Sequence, residues 1–208
     1  MQSEVKVPRR AMHWLGISAA LVLMGIALSI ALISAGVFDP KPQGKLADSF
    51  GIDQTLTVSG NQQTVWFDQS IPPGSYTIRL SANLANGDLD NGYGLLLGNE
   101  DEYVGVAVSP LGYVTMWQSV AATGDTPQQI SILPWQTWPH VNKNQDSNEI
   151  GIDVTTGDVS SVRLNRETLW QGSVPLSEHR YGIWANAFDG PADIDFSTLE
   201  LFFDRSDN

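Results

Sequence analysis

One stretch of the sequence, NGDLDNGYGLLLGNEDEYVGVAVSPLGYVTMW, is dense in potential metal ligands. Asn86, Asp88 and Asp90 alternate like the first three ligands of a calcium-binding loop. An EF-hand would need glycine next and glutamate at its twelfth position, but Asn91 and Leu97 stand there. The spacing therefore excludes an EF-hand. It leaves a looser calcium site at Asp88 and Asp90 as the metal hypothesis, with an ordinary polar turn as the alternative.

Carboxylate pairs are the second group that could do chemistry, because glycoside hydrolysis needs two of them about 5 to 10 Å apart. The nearest candidates, Asp193 and Asp195, alternate with Ile194 and Phe196. This alternation predicts that both acids lie on the solvent face of a strand. The sequence also contains no Gly-x-Ser-x-Gly elbow and no HExxH motif. We predict no catalytic residues and a protein that is not an enzyme.

Two tryptophans in the segment PWQTWPH are the best candidates for ligand binding. Indole rings on a loop can stack on the apolar faces of sugars. We therefore predict Trp135 and Trp138 as ligand-binding residues, with capping of a sheet as the alternative. The remaining tryptophans of the chain's C-terminal part fall on or beside predicted strands and are expected in the core or at sheet edges: Trp66, Trp117, Trp170 and Trp184.

The elements that carry these residues begin with an uncharged segment from Ala11 to Phe38. As a helix, residues 14–38 would span about 37 Å, which exceeds the roughly 30 Å hydrocarbon core of a bilayer. The apolar part of a signal peptide is usually only about 7–15 residues long. We therefore predict a retained transmembrane helix over residues 14–38, with a cleaved signal peptide as the alternative.

Basic residues predict the orientation of this helix. Lys6, Arg9 and Arg10 precede it, whereas the lysines that follow it lie close to Asp39. This bias favours an N-terminus in the cytoplasm and a domain on the other side of the cell membrane. The predicted division is a cytoplasmic segment of residues 1–13, the transmembrane helix of residues 14–38, a linker of residues 39–47 and an extracytoplasmic domain of residues 48–208.

The same helix carries a row of small residues at Ala27, Ala31 and Ala35. Small residues spaced by four allow a second helix to approach closely, so this row is a predicted packing site for another membrane subunit. Alanine is common in such helices, and a row without a partner is the alternative.

Composition excludes several classes of function. The chain has 11 basic and 23 acidic residues, of which Lys6, Arg9, Arg10 and Glu4 precede residue 39. The remaining 8 basic and 22 acidic residues give residues 39–208 a formal charge of 8 − 22 = −14. Such a surface repels phosphate backbones, so we predict no nucleic-acid partner. The chain has no cysteine, which excludes disulfides and thiolate sites.

After residue 48 the hydrophobic period is two, which predicts strands rather than helices. Tyr76, Ile78 and Leu80 alternate with polar residues, and Tyr113 to Trp117 repeats the pattern with Tyr113, Thr115 and Trp117 on one side. Turn sequences rich in glycine, proline and aspartate separate such runs about every ten residues. The pattern predicts an all-β domain of two packed antiparallel sheets.

Three longer segments point to a family: YGLLLGNEDEYVGVAVSPLGYVTMW, SNEIGIDVTTGDVSSVRLN and HRYGIWANAFDGPADIDFSTLELF. They resemble the concanavalin A-like (laminin G-like) jelly-roll superfamily, in particular bacterial modules related to the 3-keto-disaccharide hydrolase domain. The resemblance covers residues 48–204 and implies a jelly-roll β-sandwich. It says little about function, because the shared residues form turns and core. Asn165 is followed by Arg166 where the family pattern has glycine, so we expect a different turn there.

The leading hypothesis is a single-pass, membrane-anchored, non-catalytic interaction module. It would serve as an accessory subunit of a membrane assembly, with other membrane proteins as partners, or as a surface binding domain. The alternative is a carbohydrate-binding module that uses Trp135 and Trp138. A glycan-acting hydrolase is implied only by the resemblance. Apart from the calcium hypothesis, no cofactor is predicted.

Overall fold

The computed structural model describes residues 9–35, 37–39, 41–121, 128–188 and 190–203. The chain divides into two compact units, Met1–Asp39 and Pro40–Asn208. The elements follow in the order α1 (Arg9–Ser34), β1 (Lys45–Val58), β2 (Gln62–Ser70), β3 (Tyr76–Gly87), β4 (Asn91–Gly98), β5 (Tyr103–Ser109), β6 (Tyr113–Val120), β7 (Gln128–Thr137), β8 (Asn148–Thr155), β9 (Asp158–Leu164), β10 (Glu167–Pro175), β11 (Arg180–Ala187) and β12 (Ala192–Phe203).

The first unit contains α1, which starts earlier and ends earlier than the predicted span of residues 14–38. Its segment His13–Ser34 has 22 residues and a mean hydropathy of 2.5. A helix of this length rises about 33 Å, enough to cross a bilayer. Membrane anchors and signal sequences share this length and composition. Of the small-residue row, Ala27 and Ala31 lie within α1, and Ala35 lies in the turn that follows it.

The second unit is an antiparallel sandwich, which confirms the predicted fold class. Six strands form sheet A in the order β1-β12-β3-β8-β9-β10, and six form sheet B in the order β2-β11-β4-β5-β6-β7. All pairings are antiparallel among the described residues. Neighbouring strands in space are often distant in sequence: in sheet A the last strand, β12, lies between β1 and β3 and pairs with both.

The core lies between the two sheets. In β3, the alternating residues Ile78, Leu80 and Leu84 are fully buried, as the period of two predicts. In β6 the structure reverses the expected facing. Val114 and Met116 point into the core, and the alternating set of residues 113, 115 and 117 lies on the opposite face of sheet B. The reason is that both sides of this strand carry apolar residues, so the period of two does not determine which side faces the core.

Asn148, the first residue of β8, holds one end of the sandwich together and is 1% exposed. Its amide nitrogen donates to Tyr93 Oη and to the Asn142 carbonyl, both at 2.9 Å. Its amide oxygen accepts from Asn142 N and from Asn165 Nδ2, both at 2.8 Å. Burial raises the pKa of Tyr93 to about 12, so its phenol stays neutral. The network fixes the loop between β7 and β8 against both sheets.

A second polar network lies on the outer face of sheet A. Asp153 and Arg163 form a buried ion pair, with exposed fractions of 5% and 6%. Thr77 Oγ1 donates to Asp153 Oδ1 at 2.6 Å and accepts from Gln43 N at 2.8 Å. Because an unpaired buried charge is costly, each partner holds the others in place. Gln43, which falls in the predicted linker, is thereby fastened to sheet A.

The hairpin between β9 and β10 differs from its prediction. Asn165 and Arg166 have φ angles of 51° and 74°, the left-handed pair of a type I′ turn. The expectation of a different turn was therefore wrong, because the chain forms the turn that Asn-Gly would form. Asn165 is held by its side chain, which accepts from Glu149 N at 2.7 Å and donates to the His140 carbonyl at 2.6 Å. These bonds keep Arg166 in a conformation that disfavours a side chain.

We expect Arg166→Gly to be more stable than Arg166→Ala by about 0.5–1 kcal/mol. Alanine keeps the Cβ that opposes a positive φ, whereas glycine removes it. Both variants lose the guanidinium group, so its contacts cancel in the comparison. The measurement is the free energy of unfolding of the full-length protein in detergent by chemical denaturation. An alanine variant at least as stable as the glycine variant would contradict this account of the turn.

Candidate functional site

Sheet B buries apolar side chains on its outer face as well as in the core. Leu96, Ala107, Trp117 and Trp184 form a separate buried cluster on this face, and Trp66 packs against them. The rings of Trp117 and Trp184 lie 5.2 Å apart at 60°. Every residue of β4 is consequently buried, whichever face it occupies. The outer face of sheet B therefore carries packed apolar side chains instead of being fully exposed to solvent.

Glycines make this surface possible. A Cβ on Gly105 would overlap the ring of Trp117, so that ring lies directly on the backbone of β5. A Cβ on Gly92 would lie 3.0 Å from Trp184 Cζ3 and 3.3 Å from Trp135 Cη2. The ring of Trp135, which comes from the edge strand β7, therefore reaches over the sheet as far as β4. β7 thus forms one wall of a cleft whose floor is the sheet itself.

The cleft has a volume of about 470 Å³, within the usual range of ligand sites. Trp184 Nε1 donates to Gln62 Oε1 at 3.3 Å and orients that amide at the cleft. None of the lining residues is charged, and all of them except Pro134 are aromatic or carry a side-chain amide or hydroxyl. They are Gln62, Thr115, Trp117, Gln129, Ser131, Pro134, Trp135, Trp184, Asn186 and Phe188.

Trp135 and Phe188 form an exposed ridge at the end of the cleft. Their side chains are 40% and 50% exposed, and their rings meet edge to face with centroids 6.1 Å apart at 84°. The same two residues line a second pocket of about 300 Å³ together with Asp90, Ser109 and Tyr113. The ridge therefore stands between two adjoining depressions. An exposed aromatic pair of this kind offers apolar area to a ligand on either side.

The structure separates the two tryptophans that were predicted together. Trp135 lines the cleft, whereas Trp138 is half-buried and packs against the main core. The backbone nitrogen of Trp138 donates to the Gly112 carbonyl at 3.0 Å, and its indole nitrogen is buried. Trp138 thus occupies the position that the capping alternative described. A role of Trp135 in ligand binding stays a prediction.

The two predicted metal ligands, Asp88 and Asp90, have different neighbours in the structure. The side chain of Asp88 lies against Gly190, and the Asp88 carbonyl accepts a hydrogen bond from Asn91 Nδ2. Asp90 lines the second pocket instead. Over the described ranges, no three histidine or carboxylate side chains are grouped closely enough to hold a metal ion. Asp189, the next acid in this region, lies outside those ranges, and calcium stays a prediction.

The carboxylate pair at Asp193 and Asp195 lies on the outer face of sheet A, as the alternation predicted. Thr57 Oγ1 donates to Asp193 at 2.7 Å, and Thr55 Oγ1 donates to Asp195 at 2.6 Å. Both acids therefore form cross-strand pairs on the sheet that does not carry the cleft. They are not placed to act on a ligand bound at sheet B.

Several residues of the cleft were not predicted from the sequence. Trp184, Asn186 and Phe188 alternate along β11 and its end, on the face opposite Ile183 and Ala185. A usable signal was present, because Trp184 and Phe188 place aromatic rings on the face opposite an apolar set. Such a strand needs cover on two faces, and an aromatic outer face is one way to provide it.

Comparisons with known proteins agree with the architecture. No protein-family model and no curated protein matches the sequence. Among solved structures, the carbohydrate-binding module CBM66 from Bacillus subtilis is 12% identical to this chain. The match covers 77% of this chain and 97% of the module, with a TM-score of 0.53. The metal-free Emp46p carbohydrate recognition domain is also 12% identical. That match covers 74% of this chain and 87% of the other, with a TM-score of 0.51.

A glycoside hydrolase family 16 endo-glucanase from Bacteroides ovatus is also similar. It is 9% identical, with 71% of this chain and 80% of the other covered and a TM-score of 0.53. At such low identities the likeness concerns the fold alone. The sandwich therefore has the concanavalin A-like jelly-roll fold.

We expect Gly105→Ala to destabilise the protein by about 1–3 kcal/mol, because the added methyl group displaces the ring of Trp117 from the sheet. The melting temperature and the near-ultraviolet circular dichroism of the tryptophans should both change. Gly151→Ala is the matched control. Gly151 lies in β8 of sheet A, and a Cβ there would meet no atom closer than 3.7 Å. Equal effects of the two substitutions would show that ring placement does not depend on Gly105.

Proposed function

We propose that this concanavalin A-like sandwich is a carbohydrate-binding module without hydrolytic activity, held at the membrane by α1. The observation that carries the proposal is the cleft on the outer face of sheet B. It combines exposed aromatic rings with uncharged amides and hydroxyls along one continuous surface. This combination matches the chemistry of a sugar more closely than that of any other ligand class.

A sugar ring has apolar faces of C–H groups and a rim of hydroxyls. The exposed rings of Trp135 and Phe188 supply the apolar contact. The amides of Gln62, Gln129 and Asn186 can each donate and accept, as hydroxyl groups require. Trp117 and Trp184 hold the floor rigid, so that a ligand does not have to order the site on binding.

The comparisons support binding but do not decide between binding and hydrolysis. The similar structures include a carbohydrate-binding module, a carbohydrate recognition domain and an endo-glucanase. Hydrolysis in the usual mechanism needs two facing carboxylates. The described lining of the cleft contains no carboxylate, and the adjoining pocket contains one, Asp90. The chemistry of the cleft therefore favours a module that binds a glycan and leaves it intact.

The proposed location follows from the N-terminal unit. The span His13–Ser34 is long and apolar enough to cross a membrane. The basic residues Lys6, Arg9 and Arg10 before it favour a cytoplasmic N-terminus and an extracytoplasmic sandwich. The row at Ala27, Ala31 and Ala35 stays a predicted contact with another membrane protein. A role as an accessory subunit rests on that row and on the short linker of residues 39–47, so we rank it below carbohydrate binding.

We expect Trp135→Ala and Phe188→Ala each to weaken retention on polysaccharide at least tenfold, equivalent to about 1.4 kcal/mol, without changing the fold. Both rings are exposed, so their removal leaves no cavity in the core. The measurement is retention of the full-length protein, in a detergent without a sugar headgroup, on a panel of immobilised polysaccharides.

Leu111→Ala is the matched control for this experiment. Leu111 is 41% exposed, much like Trp135, but lines neither pocket. Its substitution should leave retention unchanged. If all three variants lost retention equally, or if the unsubstituted protein bound no polysaccharide, the proposed function would be wrong.

Anchoring makes a separate prediction. We expect the mature protein to stay in the membrane pellet after an alkaline carbonate wash and to yield a peptide that contains Lys6 by mass spectrometry. An apolar span of this length normally remains as an anchor. A mature chain that begins after Ser34 and dissolves in the wash would show instead that the segment is a signal peptide.

A further inference from the structure

The two depressions on either side of the Trp135–Phe188 ridge differ in charge. The larger one is lined by neutral groups, and the smaller one adds the carboxylate of Asp90. We propose that the two pockets form one groove for an uncharged glycan chain that crosses the ridge, and that Asp90 bars anionic sugars. This inference rests on the proposed function, since it names the class of glycan that the same site would select.

Continuity of the groove follows from the shared residues. Trp135 and Phe188 line both pockets, so the two spaces adjoin at this ridge. The pockets hold about 470 and 300 Å³, and each alone reaches the size of a small-molecule site. Because the two rings lie at 84°, sugars stacked on each of them would lie nearly at right angles. The ridge therefore suits a chain of several sugars that turns at this point.

Selection against charge follows from what lines the groove. None of the described residues that line either pocket is lysine, arginine or histidine. A carboxylate or sulfate group entering the groove would lose water without gaining a cationic partner. It would also approach Asp90, and the 22 acidic and 8 basic residues of residues 39–208 already give a negative field. A neutral sugar loses nothing by this arrangement, since carboxylate oxygens accept hydrogen bonds from hydroxyl groups.

The test compares neutral with anionic polysaccharides on the full-length protein in a detergent without a sugar headgroup. The neutral probes are β-glucan, mannan and fructan, and the anionic probes are polygalacturonate, alginate and hyaluronan. Measurements at 150 mM salt limit long-range repulsion between the protein and the probes, because the Debye length is then about 8 Å. We expect retention on at least one neutral probe and at least tenfold weaker retention on every anionic probe.

Two substitutions that change the net charge equally test whether the selection against anionic glycans comes from Asp90 or from net charge. Asp90→Lys places a cation in the groove and should raise retention on the anionic probes at least tenfold. Asp101→Lys places it at the hairpin tip between β4 and β5, at the opposite end of the sheet, and should leave retention unchanged. If both variants gained equally, the selection would come from net charge rather than from Asp90, and the inference would be wrong.

The remaining outcomes separate this inference from the proposed function. Retention on neutral and anionic probes alike would overturn the inference and leave the carbohydrate-binding function standing. Retention on anionic probes alone would have the same meaning, whereas retention on no probe of either kind would overturn both. Oligosaccharides cut from the retained polysaccharide test the continuous groove. Affinity should rise at least tenfold from the disaccharide to the tetrasaccharide, and equal affinities would overturn a chain that crosses the ridge.

Discussion

The contact between tryptophan rings and bare backbone on the outer face of sheet B is the constraint on which the candidate site depends. Trp117 lies on Gly105, and Trp184 lies over Gly92. Each indole buries on the order of 150–250 Å² of surface, so the two rings stabilise this face by several kcal/mol together. With any larger residue at the glycines the rings would stand up from the sheet, and the cleft floor would be lost. Stability and site geometry therefore come from the same contact.

Polar residues in this sandwich serve two different purposes. Asn148 and Asp153 are buried and have their hydrogen-bonding groups engaged within the protein. Gln129 and Asn186 instead line the cleft, where a ligand can reach them. The resemblance to jelly-roll domains rested partly on the Asn-led strand and on Asn165, and both asparagines belong to the buried network. This explains why the resemblance described the fold well and the function poorly.

The sequence predicted the architecture wherever one face of a strand is apolar and the other polar. In β3 this condition holds, and the period of two correctly placed Tyr76, Ile78 and Leu80 on one face, which lies in the core. In β4 and β6 both faces are buried, so the period alone could not assign the facing of Trp117. The site was harder still, because the ring of Trp135 reaches the sheet only through shifts of register between β6 and β7. Such bulges leave no reliable trace in the hydrophobic pattern.

The topology places the start of β1 and the aromatic ridge at opposite ends of the sandwich. β1 begins at Lys45, which pairs with Phe203 at one end of sheet A. Phe188 follows the last residue of β11, so the ridge lies at the other end of the sandwich, where β11 leads into β12. Because Gln43 is fastened to Thr77 near the first end, the entering segment is held away from the groove. The buried ion pair on sheet A, which binds Thr77 through Asp153, thus helps to fix Gln43 at the end of the sandwich remote from the ridge.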